Sequence, residues 1–262
     1  MKLNRSIFLL FICLCFLTSA VLAQKTWEKP FQKWSKDDTI KVLTSSPWAQ
    51  TYQSNERSSS AAAQQISREQ SQGANSGGSN PRSIARNFGP PPVVIRLHSA
   101  LPIRQALVRL QQINAGYDKM DEKQKADFDA GTKGFLACAI CQNYYVVTIT
   151  QFTDSSGQSI EEGIFQRMAL KDLKGNVWLV NEKGEQRELI QFTPPKIRGD
   201  SAVFFFSKKD DKGNLFLTPE SKDFKLVFKN EFLSVSNPYA SLVPRNFEFK
   251  VSKMMMANNV EF

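Results

Sequence analysis

The chain has 262 residues and a mass of 29.6 kDa, with 41% hydrophobic and 23% charged residues. That is enough apolar material for one large or two small domains, and too much for a chain disordered throughout. A single histidine excludes multi-histidine metal sites and most histidine relays, and four cysteines, two of them in the first 15 residues, exclude a disulfide-rich scaffold.

Lys2 and Arg5 precede an apolar run from Ile7 to Leu17, followed by Thr18, Ser19 and Ala20 and by Val21-Leu22-Ala23 before Gln24. This is the pattern of a secretory signal over residues 1–23, with Gln24 as the first mature residue. The alternative is an uncleaved anchor, but the run to Leu22 is shorter than the roughly 20 residues a spanning helix needs. Cys13 and Cys15 lie inside the apolar core rather than at the cut, so lipidation is not expected. Cleavage removes two positive charges, leaving 32 basic against 25 acidic residues, a net +7 instead of +9. The expected location is periplasmic or extracellular, with no stable membrane span after cleavage.

Residues 24–52 form a Trp-rich segment. Trp27, Trp34 and Trp48 are three of the four tryptophans and fall within 22 residues. Ser35 followed by Asp38 fits a helix capping box with Trp34 at the staple position, and Pro47 stops that helix. The tryptophans dock the helix on the main core, or form a partner-binding segment. From 53 to 91 the composition shifts to Ser, Gln, Asn, Ala and Gly, too poor in apolar area to offset chain entropy, so a disordered linker is expected.

A β-rich domain then spans 92–262. Val93 to His98 alternates as a strand, and Pro102 opens a helix to about 114 with Ile103, Ala106, Leu107, Leu110 and Ile113 in one stripe. A more polar helix over about 119–130, capped by Asp118, follows. Everything after Phe135 reads as β: 144–152, 165–170, 177–180, 188–192, 202–206, 224–229 and 247–253, most of them separated by turn signals. Phe224, Leu226 and Phe228 alternate with Lys225, Val227 and Lys229, so one face is dry and one wet. Seven or eight such strands predict a mainly β fold, an immunoglobulin-like antiparallel sandwich of two sheets with a helical insertion after the first strand and a short N-terminal helix.

Trp34-Ser35 to Ser46-Pro47-Trp48, Leu101 to Leu107, Tyr117 to Met120 and Gln191 to Lys196, together with the signal peptide, resemble a family of uncharacterised secreted proteins common in acidobacteria. The resemblance covers most of the mature chain in order. It implies export and a shared architecture, and assigns no activity and no site residue.

The chemistry-bearing candidates are few. Cys138-Ala139-Ile140-Cys141 is a CxxC motif and so a candidate local disulfide, pair of buried thiols or redox centre. A redox CxxC wants its first thiol at a helix N-terminus, whereas here the motif leads into a β run. In a regular strand the two Cα atoms would stand roughly 10 Å apart, too far to bridge, so a disulfide requires a turn over 134–141. Two cysteines without a second pair or a neighbouring histidine make no zinc site. His98 shares its strand face with Arg96, and no Gly-x-Ser-x-Gly turn presents a nucleophile to it. The carboxylate pairs Asp37-Asp38, Glu161-Glu162 and Asp210-Asp211 sit in caps or turns, and no phosphate-cradling glycine loop occurs. The positive charge is scattered, with Lys208-Lys209 followed at once by Asp210-Asp211, so nucleic acid is not an expected partner, and weak attraction to anionic surfaces such as lipid headgroups or envelope polymers stays open.

The sequence thus predicts no catalytic residue, no metal and no cofactor. The leading expectation is a non-enzymatic exported module that binds or organises another envelope component, protein or polymer, with Trp27, Trp34 and Trp48 as partner-binding candidates. A thiol-dependent envelope redox protein using Cys138 and Cys141 is the alternative.

Overall fold

The computed structural model describes residues 25–52, 93–151, 165–197, 199–229, 245–256 and 259–262. The expected signal peptide and the expected linker lie outside the described residues.

Helix α1 (Lys36–Thr44) starts at the capping box: the Asp38 amide donates to Ser35 Oγ at 3.0 Å, and the Ser35 amide to Asp38 Oδ2 at 3.2 Å. The chain turns through β1 (Ser45–Ser46) into β2 (Ala49–Tyr52), two short strands where the sequence reading placed none. β3 (Val93–Leu97) and α2 (Leu101–Asn114) match the expected elements closely. The second helix differs. α3 runs from Glu122 to Ala137, because the reciprocal box is made by Asp121 and Gln124 rather than by Asp118. Asp118 instead forms a bidentate pair with Arg109, both contacts 3.1 Å. Gly131 and Gly134 remain inside α3 despite their cost of about 1 kcal/mol each relative to alanine.

The remaining strands are β4 (Tyr144–Gln151), β5 (Val177–Asn181), β6 (Gln186–Thr193), β7 (Ser201–Ser207), β8 (Asp223–Phe228) and β9 (Asn246–Lys250), followed by a small hairpin of β10 (Met255–Met256) and β11 (Asn259–Val260). The run 165–170 is a turn leading into a single helical turn, α4 (Leu170–Leu173), not a strand. Its Phe165 is buried against Phe192, Phe204 and Phe228, so its aromatic character reflects the core rather than strand pairing.

The two-sheet immunoglobulin-like sandwich is overturned. β1 to β9 form one antiparallel sheet in the order β1-β2-β3-β4-β7-β6-β5-β8-β9, curled into a half-barrel and accompanied by the three helices α1 to α3, a mixed α/β fold. Curling brings the two ends of the sheet together: Tyr52 on β2 meets Phe247 on β9 edge-to-face at 6.4 Å, and Gln50 Nε2 donates to the Glu248 carbonyl. A curled sheet and a sandwich ask the same alternation of every strand. They differ in which strands pair, and local alternation does not encode that.

The inner face is filled by cross-strand rows such as Leu97, Val147, Phe204 and Phe192. Leu179, Leu226 and Phe247 form another. A bulge in β6 sets Ile190 outside the ladder, so that Leu189 and Phe192, three residues apart, pair with the inward-facing Phe206 and Phe204. The C-terminal residues close this core. Trp48 Nε1 donates to the Glu261 carbonyl at 2.6 Å, Lys208 Nζ to the Phe262 carbonyl at 3.1 Å, and the Phe262 ring lies 6.2 Å from Tyr145.

Candidate binding cleft

All five residues of β3 are buried, so both faces of the sheet are covered there. On the outer face the register aligns Ala49, Arg96, Thr148, Val203 and Thr193 across β2, β3, β4, β7 and β6. The neighbouring row carries Thr51, Val94, Thr150 and Ser201. Arg96 is 8% exposed and anchored twice: Nε donates to the Leu43 carbonyl of α1 at 2.7 Å, and Nη1 to Thr150 Oγ1 at 2.9 Å. Thr150 Oγ1 in turn lies 2.6 Å from Ser201 Oγ. Over this floor opens a cleft of about 330 Å³, walled by Leu107 of α2 on one side and by the turn that carries Lys196 and Asp200 on the other. Asp200 shapes that turn by accepting the amides of Lys196 and Ile197, each at 3.1 Å.

His98 also lines the cleft, its ring edge-on to Phe135 at 5.5 Å. Burial first, then the positive charges of Arg104 and Arg96, push its imidazole down to about 4. It is therefore neutral at pH 7. Burial also lowers the Arg96 guanidinium, to about 10, which leaves it charged. The cleft thus offers a fixed cation and several hydroxyls. Among the described residues Ser201 Oγ pairs with Thr150 Oγ1 and the His98 ring meets Phe135, so no Ser–His hydrogen bond is formed there. Among the described residues no group of three or more His, Cys, Asp or Glu is placed to hold a metal ion, and no helix is long and apolar enough to cross a membrane.

The structure joins Cys138 and Cys141 in a disulfide with their Cα atoms 5.3 Å apart. The turn that permits it begins at Cys138, which ends α3 in the left-handed region (φ 43°), and continues as a 3-10 turn over Ala139–Gln142. Cys138 thus sits at the negative end of a 16-residue helix, where the dipole disfavours a thiolate. Cys141 packs with Val146 and Phe205 on the outer sheet face. The pair staples the end of α3 to the sheet.

Trp34 and Trp48 are wholly buried. Their indole N–H groups are taken by the Lys29 carbonyl at 3.0 Å and by Glu261. Trp27 is half-buried, meets Trp48 edge-to-face at 5.4 Å and borders a groove at the seam of the sheet. The three tryptophans are therefore brought together as core, with only Trp27 reaching the surface. The cleft residues Thr148, Thr193, Lys196 and Ser201 carry no motif. The one local signal was the polar face shared by Arg96 and His98, and gathering the others around it requires the pairing of β3, β4, β7 and β6.

No family model, no curated protein and no solved structure matches this chain, so the reading of the cleft rests on its own geometry.

Proposed function

We propose that this chain is a non-enzymatic binding module, exported by its N-terminal leader to the periplasm or beyond, that holds an anionic group of another envelope component, protein or polymer, in the outer-face cleft. The observation that carries the reading is the charged, doubly anchored Arg96 at the floor of an open cleft lined by Thr148, Thr193, Ser201 and Lys196. A guanidinium beside hydroxyl donors is the chemistry of carboxylate and phosphate capture. The thiol-dependent alternative is less well supported, because the helix end that presents Cys138 has the wrong polarity for an activated thiol.

His98 is the sole imidazole of the chain and reports directly on the cleft. Its ring is followed by NMR through an acid titration at constant ionic strength, with chloride alone and then with inorganic phosphate, methyl phosphate or a sulfated polysaccharide, all of which stay anionic where His98 titrates. Burial is the main cause of the His98 depression and the Arg104 and Arg96 charges add to it; an anion bound beside Arg96 offsets that smaller, coulombic part, so the pKa rises from about 4. Thr148→Val and Lys196→Gln each weaken the effect, by about 5- to 10-fold in apparent affinity. A titration unmoved by all three probes at saturating concentration refutes the proposal.

A further inference from the structure

The rim of the cleft is as distinctive as its floor. Phe135, 40% exposed, abuts His98 on one side, and Ile197, 69% exposed, lies on the other, in the turn that supplies Lys196 and Asp200. Ile140, 43% exposed, projects from the disulfide turn that packs on Val146 and Phe205 of the same outer face. Ile190, 48% exposed, is the bulge residue between Leu189 and Gln191, which pair with Phe206 and Phe205 of β7. Four of the seven large apolar side chains exposed among the described residues therefore lie around this one region. A charged, hydroxyl-lined hollow on a face that also exposes isoleucine and phenylalanine is amphiphilic. It matches a ligand whose anionic group and hydrocarbon are adjacent.

We infer that this face docks on an anionic lipid surface, with a phosphate headgroup in the Arg96 cleft and Ile197, Phe135 and Ile140 immersed at the headgroup–acyl boundary. The inference rests on the anion-binding reading of the cleft and puts a lipid headgroup where that reading has a protein or polymer. Charge complementarity supports the choice: Lys196 and Arg96 outnumber the single carboxylate of the cleft, that of Asp200; Lys133 lies on the last turns of α3 two residues before Phe135; and the chain without its leader carries +7. The rim residues are separate projections from a turn, a helix end and a staple rather than one flat sheet of apolar surface. That suits shallow insertion between headgroups better than a tightly packed protein interface.

The test is co-sedimentation of the full-length secreted protein with vesicles of phosphatidylglycerol and phosphatidylethanolamine in equal parts, against vesicles of phosphatidylcholine alone. The His98 titration is repeated with soluble glycerol phosphate and with the vesicles. The expected result is salt-sensitive sedimentation with the anionic vesicles only. It is weakened about five-fold by Lys196→Gln and at least ten-fold by the pair Ile140→Asn and Ile197→Asn, whose exposed positions leave the melting temperature unchanged. Absent sedimentation overturns the inference, as does equal binding to neutral vesicles or binding indifferent to the Ile140 and Ile197 substitutions. If glycerol phosphate moves His98 but vesicles fail to bind, the lipid partner is wrong and the anion cleft stands. If vesicles bind with His98 unmoved, the headgroup is not in the cleft and the lipid reading fails, while the anion cleft stands or falls by the glycerol phosphate titration alone.

Discussion

Replacing Trp48 by phenylalanine measures how much of the fold depends on closure by its C-terminal residues. The indole is wholly buried, donates to the Glu261 carbonyl at 2.6 Å and meets Trp27 edge-to-face at 5.4 Å. Phenylalanine fills most of the volume but leaves that carbonyl without its donor in a half-buried place, at a cost of about 1–3 kcal/mol. The smaller ring adds about 1 kcal/mol for the residual cavity. The sum, about 2–4 kcal/mol, corresponds to a melting-temperature drop of about 5–15 °C for an ordered region of this size. The contact spans 213 residues of sequence, whereas the Trp34 indole bonds Lys29 only five residues away. Lys29 is exposed, so water replaces the lost donor in Trp34→Phe and the cost there is smaller, about 1 kcal/mol. Urea unfolding of both variants, with amide exchange read at Leu101 and Phe262, distinguishes the two. The reasoning is refuted if Trp48→Phe stays within 0.5 kcal/mol of the parent, or if Trp34→Phe is the more damaging.

Acidification should destabilise the protein through His98. Its pKa is about 4 folded against 6.5 unfolded, so the unfolded state binds the proton first, and the stability present above pH 6.5 is lost as pH falls through 4. The loss amounts to at most about 3 kcal/mol. The half-buried Glu261 carboxyl, raised by desolvation, acts in the opposite sense, so the difference between parent and His98→Gln melting curves across pH isolates the histidine; parallel curves would refute the assignment. Reducing the disulfide, or replacing Cys138 and Cys141 by serine, should cost no more than about 2 kcal/mol because the closed loop is so short. The effect should be confined to faster exchange at the end of α3, and global unfolding on reduction would disprove the staple. At the β6 bulge, Ile190→Thr should stay within about 0.5 kcal/mol, while deletion of Ile190 turns either Leu189 or Phe192 outward and abolishes a cooperative thermal transition. A folded deletion variant would show that the bulge does not set the register.

Much of the local structure was legible in the residues. The Ser35–Asp38 box, the stripe of Ile103 and Ala106, and the alternation of Phe224, Leu226 and Phe228 are written in spacings of three, four and two residues, and each appears where its spacing placed it. Errors arose where two local solutions were nearly equal. Asp118 and Asp121 both suit a helix cap, and the choice fell to Asp121 because Arg109, on a helix that precedes both, claims Asp118. Phe165 to Leu170 has strand-like composition, yet Phe165 reaches the core from a turn. The cleft was the least legible feature, for its residues lie on four strands, a helix and a loop spread over 108 positions, from Arg96 to Val203.

The sequence by itself determined which residues of β3, β8 and β9 share a face, where the first two helices begin, and that Cys138 and Cys141 need a turn to meet. Those properties follow from side-chain periodicity and backbone propensity within a few residues. Only the tertiary structure decided that the strands join into one curled sheet instead of two, that Trp48 clasps Glu261, and that Arg96 stands among the hydroxyls of three other strands. Strand partnership is a sum of long-range contacts over an entire sheet, and the same alternating pattern satisfies several pairings until all of them compete for one core.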